Sequence, residues 1–187
     1  KRQVHGSTGG VGMAAVQLGK YLGATVIATG TSEEKLEFTK KWGADHTLLT
    51  HKDNIVDFRN EVKDITNGKG ADVIYDPVGG DVFDHSIRCI NWGGRLLVVG
   101  FASGRIPNLP INMALIKGFS VIGVRAVEYG RKDPKAGIEN NNAIRKICEE
   151  GHFSPYICKE FDLKDAKDAI QFLSERKLVG KVIIKTN

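Results

Sequence analysis

The chain has 187 residues, 41% hydrophobic and 26% charged, which is the composition of an ordinary globular protein able to bury roughly 70% of its unfolded surface without disulfides or a structural metal. Its longest apolar runs, such as Leu96 to Val99 and Val182 to Ile184, fall far short of the roughly 20 residues a membrane-spanning helix needs. A net charge of +5 favours a phosphate-bearing ligand or weak nucleic-acid contact, and 22 glycines, about 12% against a usual share of about 7%, mark many tight turns.

Arg2 to His5 reads as the end of a first strand. Val11, Ala15, Leu18 and Leu22 then share one face of a helix that is apolar almost all round, so that helix is expected to be buried. Thr25 to Thr29 is a second strand, and Thr31 with Glu34 three residues on forms a capping box for a second helix. His46 to Leu49 makes a short third strand. In the helix that follows, Ile55, Phe58, Val62 and Ile65 line a stripe while Asp57, Glu61 and Asp64 face out, and Asn67-Gly68-Lys69-Gly70 closes it.

Val73 to Tyr75, stopped by Pro77, is the fourth strand, Arg95 to Val99 the fifth and Phe119 to Val124 the sixth. A helix around Ile144, Ile147 and Cys148 ends at Gly151, and Phe153 to Asn187 reads as strand, helix, strand. The connection Ser103 to Asn112, with Pro107 and Pro110, is expected to be mobile. The alternation predicts an α/β fold: a doubly wound parallel six-stranded sheet over residues 1–151, with residues 152–187 belonging to something else. Three cysteines, odd in number and without a CxxC pair, point to a reducing, cytoplasmic compartment. The chain opens on Lys1-Arg2-Gln3 and reaches its first motif at once, so a fragment or processed product is expected.

That first motif is Gly6-Ser7-Thr8-Gly9-Gly10-Val11-Gly12, set between a strand and a helix. Gly9 would let the backbone approach a pyrophosphate, Gly12 would let the helix pack close on its strand, and Gly10 and Val11 are the expected amide donors. Ser7 stands where the dinucleotide fingerprint has its first glycine. An NAD-selective site ends its second strand in Asp or Glu, whereas this chain has Thr29-Gly30-Thr31-Ser32 and then Lys35, which suits a 2′-phosphate and therefore NADPH. Asp76-Pro77-Val78-Gly79-Gly80 and Gly100-Phe101-Ala102-Ser103-Gly104 follow strands at their carboxyl ends, where ligands bind in such sheets, although simple turning also accounts for them.

Other chemistries fail on spacing. HExxH, GxSxG and a P-loop are all absent, no tyrosine has a lysine four residues later, and the five histidines are scattered without metal-ligand spacing. No metal site is expected, and no arginine-rich or aromatic-interleaved stretch supports RNA binding.

The glycine turn, Ser32-Glu33-Glu34-Lys35, Gly43-Ala44-Asp45-His46, Asp76-Pro77-Val78-Gly79-Gly80, Gly93-Gly94-Arg95 and Gly180-Lys181-Val182 occur in this order. Together they resemble the medium-chain dehydrogenase/reductase superfamily, and within it the zeta-crystallin-like NADPH:quinone oxidoreductases, from Val4 to Ile184. The resemblance implies a Rossmann cofactor domain, with residues from about His152 returning to a GroES-like catalytic domain whose leading part lies outside this chain. It implies Gly9, Gly10 and Val11 at the pyrophosphate, with Gly12 beside them in the cofactor site, Ser32 and Lys35 at the 2′-phosphate, Val78 on the adenosine side, and Gly100, Phe101 and Ala102 on the nicotinamide side. Where many relatives carry Asn-Tyr after the third strand this chain has Leu49-Thr50, leaving Thr50 or His51 as substitutes.

The implied reaction is zinc-independent hydride transfer from NADPH to a quinone. The alternatives are an enone or enoyl-thioester reductase, or a non-catalytic NADPH- or RNA-binding protein. Most of the wall facing the acceptor would come from the absent domain, so no catalytic side chain is assigned and the isolated chain is expected to be inactive. The implied partners are a small quinone or activated alkene and a second copy, paired through Phe119 to Val124.

Overall fold

The computed structural model describes residues 1–50, 57–176 and 178–186. Six parallel strands form one sheet in the order β3-β2-β1-β4-β5-β6: β1 (Arg2–Val4), β2 (Val26–Gly30), β3 (His46–Leu49), β4 (Ala71–Asp76), β5 (Ile90–Val98) and β6 (Ser120–Gly123). The expected doubly wound sheet is present, with β4 and β5 longer than the expected Val73 to Tyr75 and Arg95 to Val99. The strand order reverses between β1 and β4, which opens a crevice at their carboxyl ends.

Both faces of the sheet are covered, which is why β2 is buried along its whole length rather than at alternate residues. Val26 and Ala28 pack with Val4, Val16 and Leu36, beneath α1 (Gly10–Tyr21) and α2 (Glu33–Lys40). Ile27 turns the other way, to Ile74, Leu96 and Phe83, beneath α3 (Arg59–Ile65) and α4 (Gly80–Cys89). Phe58 and Val62 of the α3 stripe are buried as expected, while Ile55 lies outside the described residues. Asn67 and Gly68 close that helix with positive φ, Gly68 N–H donating to the Lys63 carbonyl at 2.7 Å.

Two local expectations are corrected. The buried face of α1 is Gly12, Met13, Val16, Gln17 and Gly19, while Val11, Leu18 and Leu22 are 53%, 41% and 56% exposed. Two positions of that face are glycine because the helix must lie close to the strand and turn there: a Cβ on Gly12 would stand 2.2 Å from the Gly6 carbonyl oxygen, and one on Gly19 would stand 3.0 Å from Val26 Cγ2. The N-cap of α2 is Ser32 rather than Thr31, its Oγ accepting from the Lys35 N–H at 3.5 Å.

The connection expected to be mobile is pinned along its first half. Ala102 and Ser103 N–H donate to the Pro77 and Val78 carbonyls at 3.0 and 2.9 Å, and Arg105 reaches Asp81 and Asp84 on α4 at 2.6 and 2.5 Å. Beyond it come α5 (Asn112–Lys117), α6 (Ala126–Lys132) and α7 (Pro134–Glu149). The last of these carries the expected apolar residues, yet none of its residues is buried.

Residues past Gly151 form the expected strand, helix, strand: β7 (Ile157–Asp162), α8 (Ala166–Ser174) and β8 (Lys181–Lys185), the two strands pairing in parallel. This segment seats on α1 and α2. Gln17 and Ser154 exchange two hydrogen bonds, both 3.0 Å, and the Tyr156 ring lies 4.7 Å from Phe38 and 5.7 Å from Trp42. Among the described residues no helix is long and apolar enough to cross a membrane.

Candidate cofactor site

The glycine turn leaves β1 at the crevice. Gly6 has φ +57 and packs against Val78, whose Cγ2 would stand 3.3 Å from a Cβ there, so the turn after β1 and the turn after β4 meet at this point. Ser7 is fully buried; its N–H and its Oγ both donate to the Thr29 carbonyl at 3.0 Å. A serine therefore fits the fingerprint's first glycine position, because its hydroxyl is spent on the neighbouring strand. No side chain caps α1 and no acidic residue lies in its first turn, so the first-turn amides have no side-chain acceptor at the positive end of the helix. The turn is shared with the C-terminal segment: Gly9 pairs with Gly180, and the Gly180 N–H donates to the Thr8 carbonyl at 2.8 Å.

Beneath the turn lies His5, fully buried and bonded through both ring nitrogens. Ser86 Oγ donates to the Val82 carbonyl at 2.7 Å and so accepts from His5 Nε2, 2.7 Å away; Nδ1 then accepts from Thr29 Oγ1, also at 2.7 Å. Burial pushes His5 down to about 4, against the opposing pull of the Asp76 carboxylate. A neutral imidazole thus ties the end of β1 to β2 and α4. The composition of the sequence offered no signal for this role beyond a lone histidine after a strand.

Asp76 is a second residue whose part was missed. Its buried carboxylate accepts from Val78 and Gly79 N–H, both at 2.9 Å, and so shapes the turn that carries Val78. Gly100, Phe101 and Ala102 sit on the same turn: a Cβ on Gly100 would stand 3.2 Å from the Pro77 oxygen, and the Phe101 ring lies against Gly79. The amide at the start of α4 donates to the Arg105 carbonyl at 3.1 Å, so this second glycine turn is filled by its own loop.

At the end of β2, Ser32 and Lys35 stand together at the start of α2. Lys35 Nζ donates to the Arg176 carbonyl, in a residue of positive φ, which brings Arg176 to the same corner without a sequence signal. The ammonium keeps two more N–H donors for an anion, and Ser32 keeps its hydroxyl hydrogen. Thr50 is spoken for: it is 4% exposed and its Oγ1 donates to the Gly30 carbonyl at 3.1 Å. His51 lies outside the described residues. The cysteines are unpaired, and burial pushes the Cys89 thiol up to about 12.

The sequence profile of the family described as zinc-binding dehydrogenase matches residues 10–140, most of the sheet and its helices. The chain belongs to the zinc-binding dehydrogenase family. It is similar to the quinone oxidoreductase-like protein 2 homolog of Nematostella vectensis, at 35% identity over 98% of this chain and 50% of that protein. It is also similar to the 2-haloacrylate reductase of a Burkholderia species, at 30% identity over 97% of this chain and 54% of the other. Among solved structures it superposes on the Escherichia coli quinone oxidoreductase complexed with NADPH, with a TM-score of 0.84, 26% identity, and coverage of 98% of this chain and 56% of the other. The chain thus spans about half the length of the curated relatives it matches. The resemblance read from the motifs is the family found.

The zinc in this dehydrogenase family's name has no fitting ligand set here: among the described residues no three His, Cys, Asp or Glu side chains come together as a metal site would require. The dinucleotide does fit. The crevice between β1 and β4 gathers Gly9, Gly10, Val11, Gly12, Val78 and the Gly100–Ala102 turn, with Ser32 and Lys35 at the neighbouring strand end, and the first turn of α1 is left uncapped.

Proposed function

We propose that this chain is the coenzyme-binding half of an NADPH-dependent, zinc-independent oxidoreductase that reduces a quinone. The observation that carries the reading is the uncapped first turn of α1 at the strand-order reversal, beside a β2 end that bears Ser32 and Lys35 in place of a carboxylate. Bound there, NADPH supplies hydride from its nicotinamide ring. Gly10 and Val11 N–H hold the diphosphate, with Gly9 letting it approach the backbone and Gly12 keeping the helix close on its strand; Ser32 and Lys35 hold the 2′-phosphate; Val78 flanks the adenosine. The Gly100–Ala102 turn, fixed on Pro77 and Val78, borders the nicotinamide and excludes water from one side of it. Acceptor binding falls to the half of the protein outside this chain, and residues 152–187 belong with that catalytic half.

An activated alkene is the second acceptor class, favoured by the 30% identity to a 2-haloacrylate reductase. Its β-carbon and a quinone carbonyl both take hydride beside an oxygen that gains charge. The protein is further proposed to work in the cytoplasm as a homodimer joined through β6, an edge strand that exposes Val121 and Ile122.

The deciding experiment is a calorimetric titration of the chain with NADPH and with NADH. NADPH should bind tighter; no heat from either at saturating concentration overturns the coenzyme reading. The chain alone should show no quinone-dependent NADPH oxidation.

A further inference from the structure

Lys181 opens β8, one residue beyond the pairing of Gly9 with Gly180. Its N–H donates to the Tyr156 carbonyl at 2.9 Å, which fixes where the side chain starts. From there the stem lies along the first turn of α1: a Cβ on Gly10 would stand 2.8 Å from Lys181 Cγ and 3.2 Å from its Cε. Any side chain at position 10 would displace it. The ammonium, one bond past Cε, has no hydrogen bond or ion pair with any described residue.

The glycine turn itself brings no cation. Residues 6–12 contain no Lys or Arg, and the helix end supplies only about half an elementary charge against the two of a diphosphate. Lys181 is the lysine whose stem lies on that turn. The same stretch of chain touches the other phosphate position at its far end, where the Arg176 carbonyl meets Lys35.

We infer that Lys181 supplies the side-chain cation of the diphosphate site, so that the bound coenzyme fastens the C-terminal segment to the nucleotide-binding sheet. This rests on the coenzyme reading above. It gives Gly10 a second reason to be glycine, and it makes coenzyme binding and the seating of β8 one linked equilibrium.

The test compares the parent chain with Lys181→Met, which keeps a stem over Gly10 and removes the charge, and with Lys181→Arg, which restores it. Kd for NADPH and NADH should both rise about 3- to 10-fold in the Met variant, the size of a part-exposed charge-assisted contact, and recover in the Arg variant. The dependence of Kd on salt should flatten. Hydrogen exchange at Val182 to Lys185 should slow on adding NADPH to the parent, and slow less in the Met variant. Met-variant affinities within twofold of the parent for both coenzymes overturn the inference, as does a loss confined to NADPH, which would put the ammonium at the 2′-phosphate. A parent that binds neither coenzyme sinks the coenzyme reading itself, a result distinct from both. Thermal unfolding of each variant separates loss of charge from loss of fold.

Discussion

Two glycines three residues apart should fail in opposite ways. Gly9→Ala places a methyl group whose nearest neighbour, the Gly6 oxygen, is 3.6 Å away, at a backbone of φ −83 and ψ 166 that alanine adopts freely. The fold should lose only about 0.5–1 kcal/mol, the poorer N-cap. The methyl group, however, stands where the diphosphate must approach the backbone, so NADPH affinity should fall at least about tenfold, or about 1.4 kcal/mol. Gly12→Ala reverses the balance. Its Cβ would meet the Gly6 oxygen at 2.2 Å, the Gly6 carbonyl carbon at 2.7 Å and Ser7 Cα at 2.7 Å, all backbone atoms that no rotamer change can clear. Overpacking of this severity costs about 3 kcal/mol, offset by about 1 kcal/mol of helix propensity gained over glycine. The net loss of about 2 kcal/mol corresponds to a fall of about 4–8 °C in Tm for a chain of this size. Thermal unfolding and NADPH titration on both variants check the pair. A Gly9→Ala chain that binds NADPH like the parent, or a Gly12→Ala chain that melts with it, would refute the reasoning.

Acidification should weaken the fold through His5: with a folded value of about 4 below the ordinary 6.5, the unfolded chain takes up the proton first, so stability is lost as pH falls from about 6.5 toward 4. Between pH 7 and pH 5 the parent should lose about 2 kcal/mol more than His5→Gln in urea unfolding, and parallel losses would count against the buried neutral imidazole. Lys35→Ala should weaken NADPH about fivefold and leave NADH nearly unchanged in the same titration; equal losses would remove Lys35 from the 2′-phosphate. A charge on the β6 edge, Val121→Lys, should shift the full-length protein from dimer to monomer in sedimentation velocity while leaving the melting of this chain within about 0.5 kcal/mol; an unshifted dimer would clear β6 of the role.

The order of elements was legible because strand and helix periods alternate with glycine and proline punctuation, and the glycine turn announced the crevice by its place between β1 and α1. The packing of α1 was not. Periodicity weighs large apolar residues, so Val11, Leu18 and Leu22 drew the eye, while the true seam is set by how little Gly12 and Gly19 occupy. The cap of α2 slipped by one residue because Thr31 and Ser32 are chemically equivalent in sequence and only backbone geometry separates them. His5 and Arg176 gained their parts through contacts across the chain, Ser86 and Thr29 for the first and Lys35 for the second. No local pattern encodes such pairings.

The reciprocal amide pair of Gln17 with Ser154 imitates one rung of a sheet on the flank of a helix, and Thr8 with Gly180 makes a second rung at the helix's other end. The chain between Ser154 and Gly180 is anchored at its ends by these two clamps, like a handle, and rests between them on Phe38 through Tyr156 and on Lys35 through Arg176. Length changes inside β7, α8 or the turn between them can be absorbed by the handle, whereas a one-residue slip at either clamp would carry Lys181 off Gly10 and swap the faces of β8.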